Sequence, residues 1–379
     1  MAELFIPRET AAGEKRVAAT PDSVARLARL SVEVAVESGA GVPAGHDDHA
    51  YEQAGARVVD AGAVASAALV ARVSPPSLDD VRALAKDAVL LSFVAPHRNL
   101  DVVAALAERG VTTLAMDLVP RISRAQAIDA LSSQANLVGY RAVIVAAHEL
   151  DKYFPLFMTA AGTIRPATIV VLGAGVAGLQ AVATAKRLGA VVHVSDIREA
   201  AREEVASLGA KFIEVPDAED ATGEGGYARE VGEDFLERQR RVLTEHLATA
   251  SAAITTAQIP GRPAPKLITI EMLEAMQPGS VVVDVAAADG GNCVLTEVGG
   301  VVEHNGVRII PGHDFASAMP AEASALYGRN IASFCELLVD ADGALALDVD
   351  DEVVAGAMLT HGGAVVPPRI AELLVKGPN

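Results

Sequence analysis

The chain has 379 residues, a length that fits roughly two domains of ordinary size. Hydrophobic residues make up 51% of it and charged residues 21%, which excludes wholesale disorder and allows a large buried core. The 31 basic residues against 49 acidic ones give a net charge of −18. Because such a surface repels phosphate backbones and anionic lipid, nucleic-acid binding is disfavoured.

Disulfide-stapled and membrane-spanning classes are also disfavoured. Cys293 and Cys335 cannot build a disulfide framework and lack metal-ligand spacing, which fits a reducing compartment. The first residues show no signal-peptide pattern. Residues 167–185 carry no charge and are about long enough to cross a bilayer, but glycines interrupt them. We therefore predict a strand, a tight turn and a helix there.

Short β-branched runs alternate with amphipathic stretches from the start of the chain. They predict strands at residues 4–6, 32–36, 68–73, 89–94 and 111–114, with helices such as 21–30 and 78–86 between them. This alternation predicts an open parallel sheet. A long helix is predicted next, from about Ser123 to about Tyr153.

A second series of elements begins at Ala167. It predicts strands at residues 168–172, 191–195, 211–215, 252–256, 280–285 and 307–310, a helix over 315–338, and a few antiparallel strands over 344–366. The fold class is therefore α/β, with two Rossmann-like, doubly wound parallel-sheet domains. We expect residues 1–135 plus 320–379 to form an outer domain and residues 136–319 to form the Rossmann domain.

The segment from Gly173 to Gly178 reads GxGxxG between a predicted strand and a predicted helix that opens at Val176. Gly173 permits the tight turn, and Gly175 lets the backbone approach a pyrophosphate at the helix N-terminus. Gly178 lets the helix pack closely on the strand. With an acid about 20 residues further on, this pattern predicts a dinucleotide site. An ordinary βα turn without a ligand is the alternative.

That acid is Asp196, at the end of the next predicted strand. Its carboxylate can accept hydrogen bonds from both ribose hydroxyls and would repel a 2′-phosphate, so NAD(H) is favoured over NADP(H). Ile197 and Arg198 follow it. Arg198 is able to accommodate a 2′-phosphate, but we interpret it as a solvated charge.

Two further segments are candidates for contacts with a nucleotide. Gln126, Asp129 and either Ser132 or Ser133 would share one face of the long helix, with Arg121 at its entry. They can hold a nicotinamide carboxamide and ribose, although the pattern alone favours a helix cap and a polar surface. The glycine-rich loop 220–229 contains Tyr227 and is either a lid over bound nucleotide or a plain solvent loop.

Together these motifs resemble domain I, the NAD(H)-binding component of proton-translocating nicotinamide nucleotide transhydrogenases. The resemblance runs from Pro7 to about Val366, and its most specific segments are residues 121–136, 158–163, 173–189, 225–228 and 259–265. It implies that Arg121, Gln126, Asp129 and Ser132 lie beside the nicotinamide. It also implies that Tyr227 lies on a mobile loop over the nucleotide and that Asp196 meets the adenosine ribose.

The resemblance further implies a reaction and its partners. Such a chain transfers hydride from NADH to NADP⁺, with NADP(H) held by a separate domain III subunit. A membrane-embedded domain II subunit couples the transfer to proton movement. Domain I is usually a homodimer with the nucleotide in the interdomain cleft. The chain is then expected to be cytoplasmic, peripheral on the inner face of the membrane through its partners, with no span of its own.

Two other functions stay open. The stretch from Lys15 to Ala18 and the fold are also similar to alanine dehydrogenase. In that family a lysine and a histidine handle the amino acid, and they fall here at Ser74 and Ala95, with His97 nearby. An acid is also expected just before the Gly290–Gly291 pair; Ala288 stands at that position, with Asp289 next to it. A non-catalytic NAD-binding module is the remaining alternative.

Overall fold

The computed structural model describes residues 2–216, 232–259 and 262–376, and the chain divides into two compact units. Unit 1 comprises Met1–Gln134 and Ala316–Asn379, and unit 2 comprises Ala135–Phe315. The first division falls inside the helix Ala130–Glu149.

Unit 1 is built on an eight-stranded sheet. Its strands are β1 (Glu3–Ile6), β2 (Glu33–Glu37), β3 (Arg57–Val59), β4 (Leu69–Ala71), β5 (Val89–Ser92), β6 (Thr112–Ala115), β16 (Met358–His361) and β17 (Ala364–Val365). The order is β17-β16-β6-β5-β4-β1-β2-β3. The first six strands are parallel, as predicted, and β16 pairs antiparallel with β6 and β17.

Helices cover both faces of this sheet. They are α1 (Pro21–Ala28), α2 (Asp48–Gln53), α3 (Leu78–Ala83), α4 (Leu100–Arg109), the start of α5 (Ala130–Glu149), α10 (Pro320–Cys335), α11 (Glu352–Ala357) and α12 (Pro368–Lys376). Side chains alternate along β1, so Leu4 and Ile6 enter one apolar cluster while Phe5 enters another. Burial on both faces explains why these strands have continuous apolar sequences.

Unit 2 contains a seven-stranded sheet and a separate hairpin. The strands are β7 (Phe157–Thr159), β8 (Gly162–Ile164), β9 (Thr168–Leu172), β10 (Val191–Ser195), β11 (Lys211–Phe212), β12 (Ala252–Thr255), β13 (Val281–Asp284), β14 (Val302–His304) and β15 (Val307–Pro311). The helices besides α5 are α6 (Val176–Arg187), α7 (Ala200–Ser207), α8 (Glu233–Leu247) and α9 (Ile270–Ala275).

The order of the larger sheet is β11-β10-β9-β12-β13-β15-β14, parallel except for β14. Ile169 and Val171 on β9 pack into one apolar cluster, and Val170 and Leu172 pack into a second one on the opposite face. Each unit is thus a doubly wound α/β sheet, which confirms the predicted fold class.

Several predicted elements were wrong in extent. The tail over 344–366 contains a helix, α11, before its short hairpin β16–β17. Asp351 starts that helix, because its side chain accepts hydrogen bonds from the backbone of Val353 and Val354. The helix predicted over 315–338 begins only at Pro320. The strand predicted over 211–215 ends at Phe212.

Helix α6 packs backbone to backbone against its neighbours. A Cβ atom added to Gly178 would lie 1.9 Å from the carbonyl oxygen of Gly173, and one added to Gly139 of α5 would lie 2.1 Å from that of Ala177. Neither backbone oxygen can move aside like the end of a flexible side chain. These two contacts therefore require glycine, whereas a Cβ at Gly175 would meet nothing within 4 Å.

We predict that Gly178→Ala and Gly175→Ala differ sharply in stability. Gly178→Ala forces α6 away from the turn and should cost about 3 kcal/mol in the free energy of unfolding. Gly175→Ala adds a methyl group to open space at an extended backbone position and should cost less than about 1 kcal/mol. Urea unfolding followed by circular dichroism measures both. Equal losses in the two variants would contradict the packing argument.

Candidate functional site

The glycine-rich turn lies at the carboxyl end of β9, where α/β sheets bind their ligands. Gly173 has a φ of +100°, a conformation that favours glycine. Gly175 is extended and precedes Val176, the first residue of α6. No side chain caps the helix, and the surface at Gly175 is open. The first-turn N–H groups can therefore receive an anion such as a pyrophosphate.

Asp196 is hydrogen-bonded to this turn. Its Oδ2 accepts hydrogen bonds from the backbone N–H of Ala174 at 2.7 Å and from Nη2 of Arg198 at 2.7 Å. Its Oδ1 accepts from the backbone N–H and Nε of Arg198 at 2.9 and 2.8 Å. Burial opposes ionisation of the carboxyl, but these donors prevail and hold the pKa of Asp196 below its usual value. The carboxylate is thus charged and fixed beside the turn.

The interpretation of Arg198 as a solvated charge was wrong. Its side chain is only 19% exposed and forms an ion pair with Asp196. Hydrogen bonding to that carboxylate raises the pKa of Arg198. Ile197, between the two, is half-buried. Because four donor contacts already occupy the lone pairs of Asp196, a ribose bound there must exchange with some of them.

The segment around Asp129 differs from its prediction. Residues Ser123–Ala125 form a single turn of 3₁₀ helix, and α5 starts only at Ala130. The side chain of Asp129 caps α5 and so fixes where the helix starts. Its Oδ1 accepts a hydrogen bond from the backbone N–H of Ser132 at 2.9 Å, and its Oδ2 accepts one from the Ser132 hydroxyl at 2.6 Å. Gln126 therefore does not share a helix face with Asp129 and Ser132, and the predicted common face was wrong.

The remaining nicotinamide-side candidates have different surroundings. Arg121 and Gln126 are exposed, whereas Asp129 and Ser132 are half-buried. All four lie on one continuous segment of unit 1, and the glycine turn with Asp196 belongs to unit 2. Tyr227 and its loop lie outside the described residues.

Sequence reasoning missed a buried polar network at the carboxyl end of β13. Asp284 is fully buried and accepts from the hydroxyls of Thr255 and Thr296 and from the backbone N–H of Cys293. Asn292, also fully buried, bonds both backbone groups of Ala257. These bonds hold the loops after β12 and β13 in place beside the glycine turn. An acid at the end of an apolar strand was the signal available in the sequence.

Unit 1 carries a second polar cluster at the carboxyl ends of its parallel strands. Glu14 accepts from Nε and Nη2 of Arg16 at 2.8 and 2.6 Å and from the hydroxyl of Ser74 at 2.8 Å. Burial opposes ionisation of this carboxyl, but the Arg16 contacts outweigh it and lower the pKa of Glu14 to about 2. Arg16 also donates to Gln134 at 3.0 Å.

Beside it, Arg72 is 4% exposed and lies between two acids. Its Nη1 is 2.8 Å from Asp80 and its Nη2 is 3.6 Å from Glu9. Burial raises the pKa of Glu9 despite the nearby guanidinium. The fully buried Tyr327 donates its hydroxyl proton to the carbonyl of Arg72 at 2.7 Å. Arg72 is thus paired within the chain.

The resemblance to alanine dehydrogenase predicted that a lysine and a histidine would align with positions 74 and 95, where this chain has serine and alanine. Ser74 donates its hydroxyl to Glu14, and Ala95 has a φ of +47°. The backbone N–H groups of Val94 and Ala95 donate to Asp117, whose pKa is raised by burial. His97 lies within electrostatic reach of Asp117.

Over the described ranges, no three His, Cys, Asp or Glu side chains lie close enough together to hold a metal ion. In the same ranges, no helix has the length and apolar character needed to span a bilayer. Both cysteines are free thiols and buried.

Comparison with known proteins places the chain in a family. Residues 5–138 match the N-terminal domain of alanine dehydrogenase/PNT and residues 142–368 match its C-terminal domain. The chain is 44% identical to NAD(P) transhydrogenase subunit alpha of Cereibacter sphaeroides, over 96% of this chain and 70% of that protein. It superposes on a transhydrogenase crystal structure from Sinorhizobium meliloti with a TM-score of 0.88 and 48% identity, covering 96% and 100% of the two chains.

Alanine dehydrogenase of Bacillus subtilis is a more distant relative, 26% identical over 97% of this chain and 93% of that enzyme. The chain therefore belongs to the alanine dehydrogenase/PNT family, on the branch of the NAD(P) transhydrogenase alpha subunits.

Proposed function

We propose that this chain is the NAD(H)-binding subunit of a proton-translocating NAD(P)⁺ transhydrogenase and transfers hydride from NADH to NADP⁺ held by a partner subunit. The observation that carries the proposal is the uncapped N-terminus of α6 with the ionised Asp196 fixed beside it. The helix end suits a pyrophosphate, and the carboxylate suits ribose hydroxyls and disfavours a 2′-phosphate. A bound dihydronicotinamide supplies the hydride.

The paired charges of unit 1 favour this reaction over amino-acid oxidation. An amino-acid dehydrogenase needs a proton acceptor for the amine and an anchor for the carboxylate. Here Arg16 is already neutralised by Glu14, and Ser74 and Ala95 are not proton acceptors. Hydride exchange between two nicotinamides releases no substrate proton, so it requires none of these groups. It requires two rings aligned at reacting distance.

Hydride transfer to NADP⁺ requires partner subunits. The second ring must be presented by an NADP(H)-binding subunit, and proton movement must pass through a membrane-embedded one. We propose that this chain joins them as a peripheral protein on the cytoplasmic face of the membrane. In this assignment Arg121, Gln126, Asp129 and Ser132 orient the nicotinamide.

Hydride exchange tests the proposal. The isolated chain should bind NADH without oxidising it. When a domain III protein loaded with NADPH is added, hydride should pass from NADPH to an NAD⁺ analogue bound to this chain, and stopped-flow absorbance measures the rate. Asp129→Asn should slow exchange roughly 10- to 100-fold and change NADH affinity much less, because a misoriented ring reacts slowly. Asparagine caps helices as well as aspartate does, so α5 should remain intact.

Asp47→Asn is the matched control, since Asp47 caps α2 elsewhere in unit 1. It should leave the rate of hydride exchange unchanged.

Turnover of pyruvate, ammonia and NADH by the wild-type chain would instead establish an alanine dehydrogenase. Tight NADH binding without exchange in any domain III mixture would favour a non-catalytic module.

Coenzyme choice should depend on the Asp196–Arg198 pair. Calorimetric titration of the wild type should give tighter binding of NADH than of NADPH. Asp196→Asn removes the repulsion and releases Arg198, so NADPH should gain about tenfold relative to NADH. Adding Arg198→Ala to that variant should cancel the gain. Tighter NADPH binding by the wild type would show that Asp196 has been assigned wrongly.

We also propose that the chain forms a homodimer through its hairpin. Strands β7 and β8 pair only with each other in the described part of the chain, so both outer edges are open. Around them Met158 is 81% exposed, and Tyr153, Leu156 and Phe157 are between 43% and 57% exposed. A two-stranded hairpin is marginal alone, and identical edges from two copies can join antiparallel about a two-fold axis.

Sedimentation or light scattering at micromolar concentration should show a wild-type dimer. Met158→Glu places a charge in the proposed interface and should shift the protein to monomer. Val301→Glu changes another exposed apolar residue of unit 2, 60% exposed, and should leave the dimer intact. A monomeric wild type, or a Met158→Glu dimer as tight as wild type, would rule out this interface.

A further inference from the structure

Two histidine rings lie against each other in unit 2. His193 is on β10, and His246 is in the last turn of α8. Their ring centroids are 5.1 Å apart, and the ring planes are inclined by 52°. Both residues are half-buried, so part of each stays accessible to solvent. The contact joins a strand to a helix, and no local spacing in the sequence predicts it.

Both rings are carried by regular elements that pack together. β10 is an inner strand of the seven-stranded sheet, and His193 is in register with Val170 of β9, so both side chains lie on the same face. Val170 packs in one apolar cluster with Leu247 of α8. Helix α8 therefore covers the face that carries His193, and the core of unit 2 holds the two histidines in place.

The ring nitrogens of this pair make no hydrogen bond or ion pair with the described residues. Two other histidines differ, since the His361 ring lies 3.0 Å from the hydroxyl of Thr112 and the His49 ring lies 2.9 Å from the amide of Gln53. A neutral imidazole has one nitrogen with a free lone pair, which is a good ligand for a metal ion. The pair thus presents two such ligands side by side.

The surroundings of His193 favour its neutral form. Burial lowers the pKa of His193, and the neighbouring His246 and Lys211 lower it further. The ring is therefore neutral at neutral pH, which is the form that binds a metal ion. Lys211 is in register with His193 on β11 and is the competing positive charge. It is exposed, so water screens its ammonium group and its flexible side chain can turn away.

The distance between the two rings suits a shared metal ion. Two imidazoles that bind one ion at about 2.1 Å place their ring centroids roughly 4.6 to 5.3 Å apart, for nitrogen–metal–nitrogen angles of about 90° to 109°. The separation of His193 and His246 lies within this range. Imidazole nitrogen suits Zn²⁺, Ni²⁺ and Cu²⁺. Water would complete the coordination, because no third metal-binding side chain joins the pair in the described ranges.

We propose that His193 and His246 form a two-histidine site for a divalent transition-metal ion, which ties α8 to β10. Because the ligands are on elements that separate on unfolding, the ion binds folded unit 2 preferentially and stabilises it. The net charge of −18 also attracts cations to the protein. This goes beyond the proposed hydride exchange, since the site needs neither a nucleotide nor a partner subunit.

Copper spectroscopy tests the site directly. With equimolar Cu²⁺ at neutral pH, pulsed electron paramagnetic resonance should detect the nitrogens of two coordinated imidazoles in the wild type. His193→Gln and His246→Gln should each leave at most one. Titration calorimetry should show Cu²⁺ affinity at least about tenfold lower in both variants, because the second imidazole no longer binds within the same molecule.

Thermal unfolding gives a second readout. Ni²⁺ at about 1 mM should raise the Tm of the wild type by about 3 °C, and that of His193→Gln and His246→Gln by less than about 1 °C. His304→Gln is the matched control, because it removes another half-buried histidine of unit 2. This variant should bind Cu²⁺ and respond to Ni²⁺ as the wild type does.

Two results would overturn the proposal. One is wild-type copper coordinated by a single imidazole or by none. The other is equal Cu²⁺ affinity and an equal Ni²⁺ shift in the wild type and both pair variants, which would mean that the metal binds elsewhere on the acidic surface. All of these measurements omit NADH, so their failure would leave the proposed hydride exchange untouched.

Discussion

The candidate nucleotide site depends on two contacts that only glycine permits. Gly178 allows α6 to touch the turn that precedes it, and Gly139 allows α5 to touch the first turn of α6 from another side. The position of the helix N-terminus is therefore fixed by backbone against backbone. Asp196 is bonded to the same turn through the N–H of Ala174, so the carboxylate and the helix end are held as one rigid group.

The two units handle charge in different ways. In unit 1 the half-buried guanidinium of Arg16 and the buried one of Arg72 are neutralised by the chain's own carboxylates. In unit 2 the α6 terminus attracts anions through partial charges on backbone N–H groups, which no internal acid neutralises along the described first turn. A chain with a net charge of −18 can therefore receive a pyrophosphate locally without a basic surface.

Much of the fold was predictable because both sheets are buried on two faces. Their strands read as continuous apolar runs, and the bounds of β9 and β10 agree with the prediction. The glycine turn was predictable because Gly173 has a positive φ and Gly178 packs against the backbone of Gly173. The start of α5 was not, since Asp129 caps the helix within a pattern that also fits a longer helix.

The ion pairs Asp196–Arg198 and Glu14–Arg16 could not be predicted from the sequence, for a different reason. Arg198 is two residues from Asp196, and only the bend after β10 turns both side chains toward the same turn. Glu14 lies in a charged run, GEKR, that resembles a solvated loop. Ser74 and Ser317, which bury it, are 60 and 303 positions away, and no local periodicity encodes such contacts.

The residue at position 74 links this electrostatic arrangement to the chemistry. A lysine at position 74 would compete with Arg16 for the carboxylate of Glu14 and leave a guanidinium available for a substrate acid. Serine supplies a hydroxyl of similar reach but no charge, so Glu14 stays on Arg16. Arg16 of unit 1 is thus paired with an acid of the chain itself, whereas the surface at Gly175 of unit 2 stays open to a pyrophosphate. What remains suits a reaction whose second substrate, a nicotinamide ring, is brought by another protein.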